Sequence, residues 1–152
     1  VSAPVVLRAP AKLTLLLRIT GVRADGYHLI DAEMVTLDLA DELEVAEGDG
    51  LVVRRPGDHA DVPPGDDNLV RRALALVGRT AQVTLTKRIP PGAGLGGGSA
   101  DAAAVLRWAG RTDLVAAATI GADVPFCVVG GRARVRGIGE VVEPLPPVAR
   151  TF

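Results

Sequence analysis

Pro90-Pro91-Gly92-Ala93-Gly94-Leu95-Gly96-Gly97-Gly98-Ser99-Ala100-Asp101 is the stretch on which the fold turns. Ahead of it, residues 81–89 alternate: Val83, Leu85 and Lys87 fall on one face, Gln82, Thr84, Thr86 and Arg88 on the other. That period predicts a strand. Behind it, Ala102 to Ala109 is rich in strong helix formers and predicts a helix. Five glycines lie between positions 92 and 98, so the chain passes from strand to helix through a glycine loop. Glycine lets a backbone approach an anion closely and adopt conformations closed to other residues. The free N–H groups and dipole of the helix's first turn then favour a phosphate. Ser99 stands where its hydroxyl can meet a phosphate oxygen or a metal-bound water.

Two known phosphate motifs are tested against this loop. A Walker A loop needs Lys then Ser or Thr after its last glycine, but Gly98 is followed by Ser99 and Ala100. Gly92-Ala93-Gly94-Leu95-Gly96-Gly97 does fit G-x-G-x-x-G, yet any run this rich in glycine tends to contain it. A dinucleotide site also wants the motif after the first strand, and here it comes late. The bland alternative is a flexible or tightly packed glycine loop with no ligand.

Upstream, Val5 to Arg8 is a short apolar run ending at Pro10. From Lys12 to Ile19 the residues alternate again. Lys12, Thr14, Leu16 and Arg18 share one face; Leu13, Leu15, Leu17 and Ile19 share the other and are expected in the core. Asp25-Gly26 signals a turn. Met34 to Leu39 and Leu43 to Val45 read as strands joined by Ala40-Asp41-Glu42, and Leu51 to Arg54 as another. Pro56 to Asp67 reads as a loop, after which Asp67 or Asn68 can cap a helix to about Val77. Downstream, Val115 to Ile120 reads as a short helix ended by Gly121, and Arg132 to Arg136 as a strand. The remainder trails off through Pro144, Pro146 and Pro147.

Composition narrows the classes. The 152 residues suit one domain, and 48% of them are hydrophobic, enough for a real core. With one Trp, one Tyr and two Phe, that core must be aliphatic. A net charge of −1 and no basic stripe interleaved with aromatics argue against a nucleic-acid partner. The acidic run from Asp38 to Glu47 is broken by Leu and Val and reads as a strand with a solvated face. Cys127, the only cysteine, allows no internal disulfide and reads as a buried core thiol. His28 and His59 show no ligand spacing. No secretory leader and no bilayer-length apolar run appear, so a cytoplasmic protein without a membrane partner is expected.

Four blocks, in order along nearly the whole chain, carry a family resemblance. Pro91 to Ala100 resembles the second motif of the GHMP kinases, whose glycine loop cradles ATP phosphates. Pro10-Ala11-Lys12-Leu13-Thr14-Leu15 resembles their first motif. Arg23-Ala24-Asp25-Gly26-Tyr27-His28 resembles the R-x-D-G-Y-H segment of the diphosphocytidyl-methylerythritol kinases within that superfamily. Gly121-Ala122-Asp123-Val124-Pro125-Phe126 with Gly130-Gly131, then Gly137-Ile138-Gly139-Glu140, resembles the blocks that follow in the same kinases.

The resemblance implies an α/β two-layer fold like domain 2 of ribosomal protein S5, a mixed, mostly antiparallel sheet with helices on one face. It implies ATP-dependent phosphorylation, with Mg²⁺, of the 2-hydroxyl of 4-diphosphocytidyl-2-C-methyl-D-erythritol in non-mevalonate isoprenoid biosynthesis. Asp123 would orient the substrate hydroxyl and accept its proton late. Lys12 would lie beside it, offsetting charge on the transferring phosphoryl. Read alone, Lys12 is a solvated strand lysine and Asp123 a turn carboxylate before Pro125. Pro91, Gly92, Ala93, Gly94, Leu95, Gly96, Gly97, Gly98, Ser99 and Ala100 would hold the phosphates, with Ser99 meeting the metal through water. Asn68 would meet the adenine, act as a helix cap, or both. Lys87 would approach ATP or is simply an exposed strand end. Tyr27 and His28 would bind the cytosine, although Tyr27 also reads as a hydrophobic plug beneath the loop.

Thr14 stands where the family usually has Asn, with a shorter reach toward the substrate phosphate, and Ala100 stands where many members have Ser. Family members continue into a second domain. Residues 1–143 are therefore expected to form the ATP-binding domain, and residues 144–152 a linker toward a C-terminal domain that this chain lacks. Self-association through the face which that domain covers is a further implication. A nucleotide-binding half-domain without turnover, and another GHMP kinase acting on homoserine or mevalonate, are the rival readings. The Tyr27-His28 block argues against the latter.

Overall fold

Eighteen residues, Val5–Val22, run as one strand, β1, and nineteen more, His28–Ala46, return antiparallel beside it as β2. The computed structural model describes residues 3–57 and 68–148. The two strands pair from Val5↔Val45 to Val22↔His28 and are joined by a turn in which Arg23 N donates to Tyr27 O (2.7 Å) and Gly26 N to Arg23 O (2.8 Å). Gly26 takes φ of 90°, which asks for glycine.

Ala40-Asp41-Glu42 is therefore no joint between two strands. Those residues pair with Pro10, Ala9 and Arg8 and continue the ladder. Aspartate's weak strand preference hides this, because the pairing partner overrides it. Pro10 is tolerated because β1 pairs on one edge only and the register shifts between Pro10 and Lys12. Further shifts follow between Thr14 and Leu16 and between Ile19 and Gly21.

The other edge of β2 is shared. Glu42 to Ala46 pair antiparallel with β4 (Gln82–Thr86), and Ile30 to Val35 with β5 (Arg132–Gly137). From Thr36 to Asp41 that edge carries no ladder. β3 (Gly50–Arg54) runs parallel to β4, and β6 (Val141–Pro144) antiparallel to β5, closing a six-stranded sheet. β6 is a strand where the sequence reading saw only a trailing segment. Leu145 N continues the contact by donating to Arg132 O at 2.7 Å.

Helix α1 (Leu69–Val77) starts at Asn68, whose Oδ1 accepts from Val70 N at 2.9 Å, and ends at left-handed Gly78. The alternative cap, Asp67, lies outside the described residues, as do His59, most of the loop from Pro56, and residues 149–152. α2 (Gly97–Trp108) begins five residues earlier than Ala102 because the last glycines of the loop are already its first turn. It is buried on nearly every side from Ala100 to Leu106, and its alanines let the neighbours close in. α3 (Leu114–Ala118) is capped by Asp113, which accepts from Val115 N and Ala116 N. α4 (Val124–Val129) was not foreseen. Six apolar residues cannot be assigned by period alone, and Pro125 is harmless in a first turn.

One face of the sheet is apolar and buried: Leu43, Val45, Leu51, Val53, Val83, Leu85, Ala133 and Val135. Their neighbours Glu44, Arg54, Arg134 and Arg136 are exposed, so the helices lie on one face of a mixed, mostly antiparallel sheet. This is the expected two-layer α/β architecture. The aliphatic face of β1 is a correction. Leu15, Leu17 and Ile19 are exposed, the last at 63%, and so is Leu16 on the opposite side. The outer half of the β1–β2 hairpin forms an arm in which β1 is exposed on both faces from Leu15 to Ile19, while β2 pairs with β5 on its other edge and buries Ala32 and Met34.

Candidate active site

The glycine loop leaves β4 through Lys87, Arg88 and Ile89 and enters α2 at Gly96. Gly92, Gly94 and Gly96 all take left-handed φ, 69°, 74° and 65°. Gly96 is the N-cap of α2 and offers no side chain to the first-turn N–H groups. Those donors remain available to an anion. The loop encloses a cavity of about 280 Å³, lined also by Arg55, Lys87 and Ile89. A larger groove of about 810 Å³ lies elsewhere, beside Thr36, Arg132 and Pro147. It holds no comparable set of reactive groups, so chemistry rather than size assigns the site.

Lys12 meets the loop directly. Its backbone N donates to Leu95 O at 2.9 Å, and a Cβ at Gly96 would lie 2.9 Å from Lys12 Cγ. Gly96 is thus required twice, for its φ and for the space it leaves. The register shift after Pro10 buries both Ala11 and Lys12, so the lysine is not a solvated strand residue. Its Nζ lies 3.2 Å from Asp123 Oδ2 and donates to Thr14 Oγ1 at 2.8 Å. Asp123 precedes α4 but makes no capping bond. Its carboxylate is left facing Lys12, partly open to solvent.

Ser99 closes the group from α2, its Oγ lying 3.8 Å from where a Cβ on Gly121 would stand. Leu69, beside Asn68, touches the Cβ position of Gly98 at 3.4 Å, which brings the start of α1 against the first turn of α2. The structure therefore gathers Lys12, Thr14, Asp123, Ser99, Asn68 and the loop 91–100 around one place.

Tyr27 and His28 sit at the tip of the β1–β2 hairpin, near the Asp123 segment: Ile30 pairs with Gly137, and the Cβ position of Gly139 abuts the Ala122 backbone. Tyr27 is 59% exposed, with the Arg23 guanidinium 5.4 Å from its ring centre. It is not a plug beneath the loop.

Lys87 is also corrected: it is no exposed strand end. Its Nζ is held by Asp41 Oδ2 at 2.6 Å and Asp101 Oδ2 at 2.8 Å, and both carboxylates are buried. Asp41 was read as part of a solvated acidic face, yet it is 1% exposed. Its Oδ1 accepts from Arg88 N (2.7 Å) and Ile89 N (2.9 Å) where the ladder of β2 and β4 has ended. Burial pushes Asp101 up to about 8, helped by its hydrogen bond to Asp41. Burial opposes the charge of Asp41 too, but bonds from Asp101, Ile89 N–H and Lys87 hold it below the usual carboxylate range. Burial likewise works against the Lys87 ammonium, which the two carboxylates nonetheless hold above its ordinary value. Asp41, Asp101 and Arg55 were missed as site residues. The one available signal was Asp101, a lone acid within an alanine-rich helix.

Cys127 is buried, as expected, and desolvation raises its thiol to about 12. Among the described residues no cluster of three or more His, Cys, Asp or Glu could hold a metal, and no helix is long and apolar enough to cross a membrane.

Comparison with known proteins agrees with this geometry. Residues 68–131 match the family described as GHMP kinases N terminal domain. The chain is 49% identical over 142 residues to a 4-diphosphocytidyl-2-C-methyl-D-erythritol kinase of Paracoccus denitrificans, covering 91% of this chain and 50% of that one. It is 44% identical to a kinase of the same description from Ruegeria pomeroyi, covering 92% and 53%. The chain thus spans about half the length of the curated relatives it matches. A crystal structure of 4-(cytidine 5'-diphospho)-2C-methyl-D-erythritol kinase superposes with a TM-score of 0.67 at 39% identity, covering 93% of this chain and 55% of that one. The mevalonate kinase of Methanococcus jannaschii shares the fold alone, with a TM-score of 0.60 at 13% identity over 95% of this chain and 56% of its own.

Proposed function

We propose, for a chain that carries the N-terminal domain of the GHMP kinases, ATP-dependent phosphorylation of the 2-hydroxyl of 4-diphosphocytidyl-2-C-methyl-D-erythritol. The observation that carries this reading is the Lys12–Asp123 pair, 3.2 Å apart and packed against Gly96 at the mouth of a glycine cradle. A bare acid–lysine pair beside free helix N–H groups suits phosphoryl transfer, which needs positioning and charge stabilisation more than covalent help.

The loop 91–100 receives the ATP phosphates on its N–H groups, and Asn68, whose Oδ1 caps α1, would meet the base through its amide N–H groups. The substrate hydroxyl approaches the γ-phosphorus beside Asp123. As the new O–P bond forms, the bond to the bridging oxygen breaks and ADP leaves. The hydroxyl proton passes to Asp123, and Lys12 offsets charge on the moving phosphoryl group. Thr14 accepts from Lys12 and helps to fix its position. The Ser99 hydroxyl, near Gly121, would hold Mg²⁺ through a water. When bound, the ion neutralises phosphate charge. Tyr27, exposed at the tip of the arm, offers a ring for stacking the cytosine, with His28 beside it. Residues 1–143, with Pro144 completing β6, act as the ATP-binding domain, in a cytoplasmic setting. The exposed apolar residues of the arm are where a second copy would associate.

A second reading is nucleotide binding without turnover, favoured by the glycine cradle and the uncapped first turn of α2, which suit phosphate binding whether or not transfer follows. An ADP-release assay with ATP, Mg²⁺ and the diphosphocytidyl substrate separates the two. Substrate-dependent release supports the kinase. ATP binding without release supports the second reading, and loss of both would sink the assignment.

A further inference from the structure

Lys87 stands immediately before the glycine loop, Asp101 immediately after it, and Asp41 on β2 touches both sides. We infer that Asp41, Lys87 and Asp101 form a buried clamp that fixes the separation of the loop's two stems and so positions its N–H groups for the nucleotide. The inference rests on the reading of the loop as a nucleotide site.

The geometry is specific. One ammonium bridges carboxylates from a strand and a helix at 2.6 and 2.8 Å. The free oxygen of Asp41 holds the Arg88 and Ile89 N–H groups of the entering stem. The exit stem is held through Asp101 on α2. Gly97 makes room for the bridge, since a Cβ there would lie 3.0 Å from Lys87 Nζ and 3.2 Å from Ile89 Cγ2. Asp101 Oδ1 is buried and accepts from no donor, so once protonated it is the oxygen left to donate toward Asp41. These residues do not touch the reacting atoms and are positioning residues.

The clamp also has two charge states. With Asp101 carrying a proton, one ammonium balances one carboxylate; without it, a net negative charge stands behind the phosphate cradle. Burial and the Asp41 hydrogen bond set that change near pH 8. The groups facing Asp101 are Asp41 from β2 and Lys87 from the end of β4. From α4 the nearest titratable group is the Cys127 thiol, which stays protonated. Lys12 on β1 is turned toward Asp123 and Thr14, and Arg72 on α1 toward Ile120 O. Anionic nucleotide should therefore bind more weakly on the alkaline side.

The test is calorimetric titration of ATP into wild type, Asp101→Asn and Asp101→Ala at about pH 6.5 and about pH 9. Wild type is expected to lose about fivefold or more in affinity across that interval, Asp101→Asn to show no such loss, and Asp101→Ala to bind about tenfold more weakly than wild type at the lower pH. An Asp101→Asn variant that loses affinity as wild type does, or an Asp101→Ala variant that binds like wild type, overturns the clamp. If wild type binds no ATP at either pH, it is the nucleotide reading that fails. The clamp is then decided without ligand, by amide-exchange protection at Arg88 and Ile89. That protection should fall about tenfold in Asp101→Ala and hold in Asp101→Asn, and unchanged protection in both removes it.

Discussion

Lys12 and Asp123 are placed by opposite means, one by a bulge that buries it and the other by a helix start that leaves its carboxylate uncommitted. Removing either should leave the sheet intact, because neither side chain caps a helix or fills the apolar core. Lys12→Ala and Asp123→Asn are expected to lower kcat by about 10²- to 10⁴-fold, with thermal unfolding and circular dichroism close to wild type. Near-normal turnover in both would remove their assigned roles. Asp101 has the reverse profile, affecting stability through its proton. Its pKa is raised on folding from 3.8 to about 8, so the stability it contributes is fully present below 3.8 and is lost as pH rises through about 8. Asp41, whose pKa is lowered, contributes stability that is present above its unfolded value and lost in acid. Asp101→Asn should therefore gain melting temperature relative to wild type steadily between about pH 4 and about pH 8, then stay level. A difference that does not change with pH in a series of melting curves would contradict this.

Among the elements, the loop and α2 behave as one unit, because the last glycines of the loop are the first turn of the helix. Gly96 is the position where substitution should tell most. Alanine there would sit at φ of 65° and press on the Lys12 stem at 2.9 Å. A stability loss of about 1–2 kcal/mol is expected, together with weaker ATP binding, read by chemical denaturation and titration. Alanine at Gly92, also left-handed but with open space around its Cβ position, should show the strain without the Lys12 effect. The loop, the capped α1 and the alternating strands were legible because each is written in local residue order. α4 and β6 were not, since a six-residue helix and a four-residue strand owe their form to the elements they pack on. The face of β1 was misread for a related reason: alternation says which residues share a side, but only the helix layer decides whether that side is covered.

In the whole molecule, β2 is the common partner, paired with β1 along its length and with β4 and β5 in turn on its other edge. The family blocks made the architecture and the Lys12–Asp123–loop grouping readable in advance. The Asp41–Lys87–Asp101 grouping was not, because it depends on where the two ladders of β2 stop. A strand that serves as template for three others also sets an order of events. β1 and β2 are joined by five residues, Arg23 to Tyr27, whereas β5 meets β2 across about a hundred positions of sequence. Loop closure favours the near pair, so the hairpin is expected to form early and the distant strands to dock on it later. Gly26, left-handed at the tip with nothing within 4 Å of its Cβ position, is the probe. Gly26→Ala should slow refolding nearly in proportion to the stability it removes while leaving the unfolding rate almost unchanged, as chevron plots would record. The hairpin whose tip lies near the Ala122–Asp123 segment would then be the part of the molecule around which the rest assembles.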